Sequence, residues 1–124
     1  MNAAESTTIL IVEDEILILI DLAMSLRSAG FDVLEASSAD AAIELLEKHP
    51  EIRAVITDID MPGSMNGLAL AHAVFEKWPP CRLIVVSGHH FVSIEELPSG
   101  ARFFSKPADP IVLNSALEEM GVAA

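Results

Sequence analysis

Five polar residues stand directly after apolar, strand-like runs, and their types together suit phosphoryl chemistry. Glu13 and Asp14 follow Thr8–Val12 (TILIV), and Asp58 follows Ala54–Thr57 (AVIT). Ser87 follows Arg82–Val86 (RLIVV), and Lys106 follows Ala101–Ser105 (ARFFS). Short apolar runs rich in β-branched residues read as buried strands. A parallel sheet delivers the last residue of every strand to one edge, where open α/β sheets bind ligands. Carboxylates gathered there repel one another unless a cation joins them. Mg²⁺ is the natural one, since it takes oxygen ligands from one or two carboxylates, water and phosphate. With a hydroxyl donor and an ammonium added, the set holds a phosphoryl group. Asp58 is then the nucleophile, the cation and Lys106 neutralise the phosphoryl oxygens, and Ser87 donates a hydrogen bond. Singly, each residue has a plainer explanation: Glu13 and Asp14 as acids at a helix N-terminus, Ser87 as a turn former, Lys106 as a surface charge. Their coincidence at one sheet edge favours the site.

The elements that must position these residues alternate along the chain. Glu15–Ala29 reads as a helix stopped by Gly30, and Phe31–Ala36 as a second strand. Ser38 is the expected N-cap of a helix over Ala39–Lys48, which stops before Pro50. After Asp58, Pro62-Gly63 breaks the chain into a loop, and Gly67–Trp78 forms the next helix before Pro79-Pro80. His89–Leu97 supports at best a short helix, closed by Pro98 and Gly100, and Pro110 opens a last helix running to about Met120 with Gly121 as its stop. Alternating β and α units with short connections predict a doubly wound parallel sheet with helices on both faces.

Composition narrows the class. The 124 residues suit one domain, with its core over about residues 8–120. A hydrophobic content of 52% and a mean hydropathy of +0.46 argue for a compact fold with much buried sheet. The net charge of -12 repels phosphate backbones, so no nucleic-acid partner is expected. Cys81 is the only cysteine, which excludes an internal disulfide and suits a reducing compartment. The N-terminus has no secretory pattern, and Glu13, Asp14 and Glu15 interrupt the apolar stretch from Ile9 to Ile20, so no membrane span is expected. A cytoplasmic protein follows, as a monomer or weak dimer.

The first helix has more apolar surface than one sheet face can cover. Ile18, Leu22, Ser25/Leu26 and Ala29 form one stripe; Ile16, Ile20 and Met24 form another on nearly the opposite side, widened by Leu17 and Leu19. Scattered surface apolar residues are ordinary. A docking face for a partner helix, centred on Ile16, Ile20 and Met24, is the sharper reading.

Taken together, Val12-Glu13-Asp14-Glu15, Thr57-Asp58-Ile59-Asp60-Met61-Pro62, Val86-Ser87-Gly88 and Lys106-Pro107 resemble the receiver domain of two-component response regulators. The resemblance spans about Thr8 to Met120. It implies a flavodoxin-like fold with strand order 2-1-3-4-5, and Asp58 as phospho-acceptor from a histidine kinase or phosphotransfer protein. It further implies Asp14 as a direct Mg²⁺ ligand, Glu13 as a ligand through water, and the Asp60 backbone carbonyl beside them. Ser87 fills the hydroxyl switch position, Lys106 pairs with the phosphate, Phe103 matches the switch aromatic, and the Lys106-Pro107 bond is expected cis. Asp60 and His89 occupy positions that tune acyl-phosphate lifetime in that family; a solvated loop histidine paired with His90 is the plain alternative for His89. Two departures stand out. The loop Pro62–Gly67 is one residue longer than usual, and the stretch between Ser87 and Lys106 is shorter by nearly a helical turn, which shortens or disrupts the fourth helix. A chain with no attached output domain would act through protein contacts.

Two other classes fit parts of the sequence. Asp58-Ile59-Asp60 after an apolar strand also resembles the opening motif of haloacid-dehalogenase-type phosphatases, though the last acidic pair, Glu118-Glu119, falls in a helical stretch. A pseudo-receiver, the same fold used as a binding module without phosphorylation, would not require all of Glu13, Asp14, Asp58, Ser87 and Lys106 together. A signalling domain rather than an enzyme is the preferred expectation.

Overall fold

The computed structural model describes residues 6–124 apart from Pro62, Ser64 and His90. The expected loop break at Pro62, part of the lengthened loop, and the pairing of His89 with His90 therefore lie outside the described residues. Strands β1 (Thr8–Val12), β2 (Asp32–Ala36), β3 (Ile52–Asp58), β4 (Arg82–Ser87) and β5 (Arg102–Ser105) alternate with helices α1 (Ile16–Ser28), α2 (Ala39–Lys48), α3 (Gly67–Lys77) and α4 (Pro110–Glu119). All strand pairs are parallel, in the order β2-β1-β3-β4-β5.

Burial follows from position in that sheet. Every residue of β1 is buried, as are nearly all of β3 and β4, because helices cover both of their faces. The outer strand β2 is only partly buried: Val33 and Ala36 are covered, on opposite faces, while Asp32 and Glu35 are exposed. Successive side chains point to opposite faces. Leu10, Val12, Val55 and Val85 therefore pack under α2 and α3, with Leu46, Leu70 and Val74. Ile9, Ile11, Ile56 and Ile84 pack under α1 and α4, with Leu19, Leu113 and Leu117. Val122, beyond α4, is also buried in this second layer, held by its N–H donating to Leu117 O at 2.8 Å.

Local signals start the helices. Ser38 Oγ accepts from Ala41 N at 3.1 Å, the expected cap of α2. Asn66 Oδ1 caps α3 through Ala69 N at 2.9 Å, and Asp109 Oδ1 caps α4 through Ile111 N at 2.9 Å, with Pro110 in the first turn. Gly121 follows α4 at φ +87°, a conformation that suits glycine.

One element differs from the sequence reading, and another matches its expectation of a shortened fourth helix. In α1 the buried stripe is Leu19, Ala23 and Leu26, whereas Ile18 is exposed and Leu22 only half-buried. The expected stripe lay about one residue away, because apolar residues on nearly every side of this helix leave its periodicity degenerate. The fourth-helix region is reduced to one 3₁₀ turn, Ile94–Glu96. Val92, Leu97 and Ala101 anchor it to the core, and His72 Nε2 meets Glu96 O at 2.7 Å. Pro98 cannot donate to a helix there, so the segment ends after a single turn.

Candidate functional site

Register brings the polar residues together. Val12 lies opposite Thr57, so Glu13 and Asp58 emerge side by side at the ends of β1 and β3. Asp58 lies opposite Val86, placing Ser87 one step further on β4. Ser87 pairs with Ser105, and Lys106 N–H donates to Ser87 O at 2.9 Å, which sets the lysine at the same edge. The Lys106-Pro107 bond is cis.

Carboxylate oxygens of Glu13, Asp14 and Asp58 lie within 4.8 Å of one another. Glu13 and Asp58 are buried and Asp14 is exposed. Lys106 Nζ bridges the buried pair, 2.8 Å from Glu13 Oε1 and 3.0 Å from Asp58 Oδ2. Glu13 Oε2 also accepts from Glu15 N at 3.1 Å, just ahead of α1, whose first turn carries no acid and no side-chain cap. Burial pushes the Glu13 carboxyl above its ordinary range, against the opposing pull of the Lys106 hydrogen bond. Burial also pulls the Lys106 ammonium down, but hydrogen bonds from it to Glu13 and Asp58, with their charges, leave it above the usual lysine range. Lys106 is therefore a fixed cation at neutral pH. One ammonium among three carboxylates leaves the cluster negative, and an all-oxygen donor set with an exposed member fits a hard divalent cation such as Mg²⁺.

Ser87, buried at the end of β4, donates its hydroxyl to Asp60 Oδ2 at 3.1 Å. Asp60 N–H in turn reaches Asp58 Oδ1 at 3.3 Å. His89 is exposed and approaches through its main chain, its N–H donating to Ser87 Oγ at 3.3 Å. Phe103 is half-buried on β5 and meets Phe91 edge to face, ring centroids 6.2 Å apart at 76°. Ile16, Ile20 and Met24 are all exposed on α1. Beside the site, a cleft of about 510 Å³ runs between α1 and the β5–α4 connection, lined by Glu13, Leu17, Ile18, Lys106 and Pro107 among others.

Sequence reasoning read Gly67 only as the start of a helix. A Cβ built at this position falls 1.7 Å from Asp58 O and 2.6 Å from Asp58 C, and Gly67 N–H donates to Ile59 O at 3.0 Å. Only glycine lets α3 begin this close to the strand end that carries Asp58. A residue without a side chain opening a helix directly after an Asn cap was the available signal. Leu17 and Ile18, which line the cleft, also went unassigned to the site. The late acidic pair Glu118-Glu119 closes α4, and Glu119 pairs with Arg102 at the start of β5. That is the sheet edge opposite Asp58, so this pair cannot supply the second acidic site of the phosphatase reading.

A family model of the response regulator receiver domain matches residues 9–118. The sensor kinase CckA of Brucella abortus is 33% identical over 119 residues, covering 93% of this chain and 12% of that protein. The transcriptional regulatory protein PdtaR of Mycobacterium tuberculosis is 44% identical over 78 residues, 61% of this chain and 37% of that protein. The chain thus spans well under half the length of these curated relatives. Among solved structures, a response regulator receiver protein from Sinorhizobium medicae superposes with a TM-score of 0.84 at 30% identity, covering 95% of this chain and 96% of that one. The receiver domain of the hybrid histidine kinase CckA gives 0.78 at 28% identity, covering 91% and 97%.

Proposed function

The chain belongs to the response regulator receiver domain family, and from that membership we propose that Asp58 accepts a phosphoryl group from a histidine kinase or phosphotransfer protein. An Asp58 carboxylate oxygen attacks phosphorus, an O–P bond forms, and the P–N bond to the donor imidazole breaks, leaving an acyl phosphate. The observation that carries this reading is the Lys106 ammonium bridging Glu13 and Asp58 within a cluster of three carboxylates. Asp14, Asp58, the Asp60 carbonyl and, through water, Glu13 would hold a Mg²⁺ ion, which would supply positive charge to the phosphoryl oxygens. Lys106 neutralises charge on the same oxygens, and Ser87 donates to one of them in the phosphorylated state. Phe103 follows the hydroxyl, and Asp60 and His89 set the lifetime of the acyl phosphate.

The exposed α1 surface of Ile16, Ile20 and Met24, continued into the adjoining cleft by Leu17 and Ile18, is the docking site for the donor. The protein signals by protein contact rather than by turnover of a small substrate, and its charge of -12 disfavours a nucleic-acid partner. Among the described residues no helix is long and apolar enough to cross a membrane. A cytoplasmic location and a monomer or weak dimer accord with this reading.

Intact mass after incubation with acetyl phosphate, with and without Mg²⁺, tests the proposal beside Asp58→Asn. The expected result is a Mg²⁺-dependent gain of one phosphoryl group that the variant lacks. A parent that takes neither phosphoryl nor beryllofluoride would hand the assignment to the pseudo-receiver.

A further inference from the structure

A serine hydroxyl has one proton to donate, and Ser87 gives its proton to Asp60 Oδ2. Ser87 Oγ is held from a second side by the His89 N–H, and Asp60 is itself tied to Asp58 through its own N–H. Asp60 thus touches both groups that a phosphoryl group at this site must engage. The bond is confined: Ser87 is 1% exposed, at the end of a strand hydrogen-bonded on both sides.

We propose that the Asp60 carboxylate is a latch on Ser87, holding its hydroxyl in the unphosphorylated state and competing with the phosphoryl oxygens for its single proton. This deepens the receiver reading and rests on it. Asp60 acts here as a positioning residue, through Ser87 rather than on the reacting atoms. For the hydroxyl to serve an anion on Asp58, the carboxylate must release it, so the strength of this bond subtracts from the affinity for that anion. A ligand shifts a switch only by its differential interaction with the two states, and the latch sets part of that difference.

Removing Asp60 also removes a negative charge near an anion, so one variant cannot separate the latch from the field. A double-mutant cycle does. Beryllofluoride affinity in Mg²⁺ is measured for the parent, Asp60→Ala, Ser87→Ala and the double variant. The field effect of losing the carboxylate is common to both backgrounds, whereas release of the hydroxyl occurs only where Ser87 is present. Asp60→Ala should therefore tighten binding about tenfold more in the parent than in the Ser87→Ala background, the order expected for one hydrogen bond to a charged group. An equal factor in both backgrounds would overturn the latch.

Urea unfolding of the same four proteins, free of metal and phosphate, reads the contact independently. The two residues should couple by about tenfold in the unfolding constant, and additive effects would refute the contact itself. If the parent binds no beryllofluoride, the receiver reading fails, and this second cycle alone upholds or overturns the Ser87–Asp60 contact.

Discussion

Lys106 Nζ lies 2.8 Å from Glu13 Oε1, joining the residue after the first strand to the residue after the last. Neither partner is free to solvent, with side-chain exposures of 18% and 4%. The contact is therefore a structural constraint as well as part of a site, since it ties one strand end of the sheet to another.

Lys106→Met leaves Glu13 and Asp58 as buried carboxylates without their cation. Breaking a buried pair by removing one partner costs about 3 kcal/mol. The pH dependence has a defined sign. The folded pKa of Glu13 already lies above its ordinary value of 4.5, so its contribution to stability is present below that value and lost as pH rises through the folded pKa. Loss of Lys106 removes a lowering influence and raises the Glu13 pKa further. Urea midpoints should show a large deficit for the variant at pH 7 that narrows as the medium is acidified. A deficit independent of pH would mean that the lysine contributes packing rather than charge.

Mg²⁺ should stabilise the folded protein through the same carboxylates. A ligand at a hundred times its Kd adds about 2.7 kcal/mol. Asp14 is exposed, so Asp14→Asn should fold like the parent yet lose most of this gain. Thermal unfolding with and without Mg²⁺ measures it. An undiminished Mg²⁺ response in the variant would remove Asp14 from the ligand set.

Gly67→Ala and Gly88→Ala should behave oppositely. The first places a methyl 1.7 Å from Asp58 O, backbone that cannot yield without moving the acceptor. It should cost about 3 kcal/mol and abolish phosphoryl uptake. The second meets only the Lys106 side chain, its Cβ at 3.5 Å in ordinary contact, and should change stability by about 0.5 kcal/mol or less. Denaturant midpoints and intact mass on both variants decide the matter; a well-tolerated Gly67→Ala would contradict the close approach of α3.

Leu17→Glu and Ile20→Glu place charge on the exposed face of α1, at positions 78% and 44% exposed. Both should fold normally, slow transfer from a phosphorylated donor protein about tenfold or more, and leave acetyl phosphate uptake unchanged. Paired rates with the two donors make the comparison. Equal loss with both donors would place the damage in the fold or the site, not in docking.

The sequence by itself determined the sheet and the roster of its polar edge. Continuous apolar runs can be satisfied only as buried parallel strands, and polar residues are tolerated in such runs mainly at their ends. Hence Glu13, Asp58, Ser87 and Lys106 were legible one strand at a time, as were the Ser38 cap and the weakness of the fourth helix. Tertiary structure alone decided who touches whom. The Lys106 contact with Glu13 crosses 93 positions of chain, and the Ser87 bond to Asp60 crosses 27. Strand register sets both, and register is not written in any local pattern. The same holds for Gly67, whose lack of a side chain matters only because β3 ends against it. In α1, apolar residues on nearly every side made several buried stripes equally compatible with the sequence. The sheet resolved that degeneracy by covering Leu19, Ala23 and Leu26, which left Ile16, Leu17, Ile20 and Met24 facing outward.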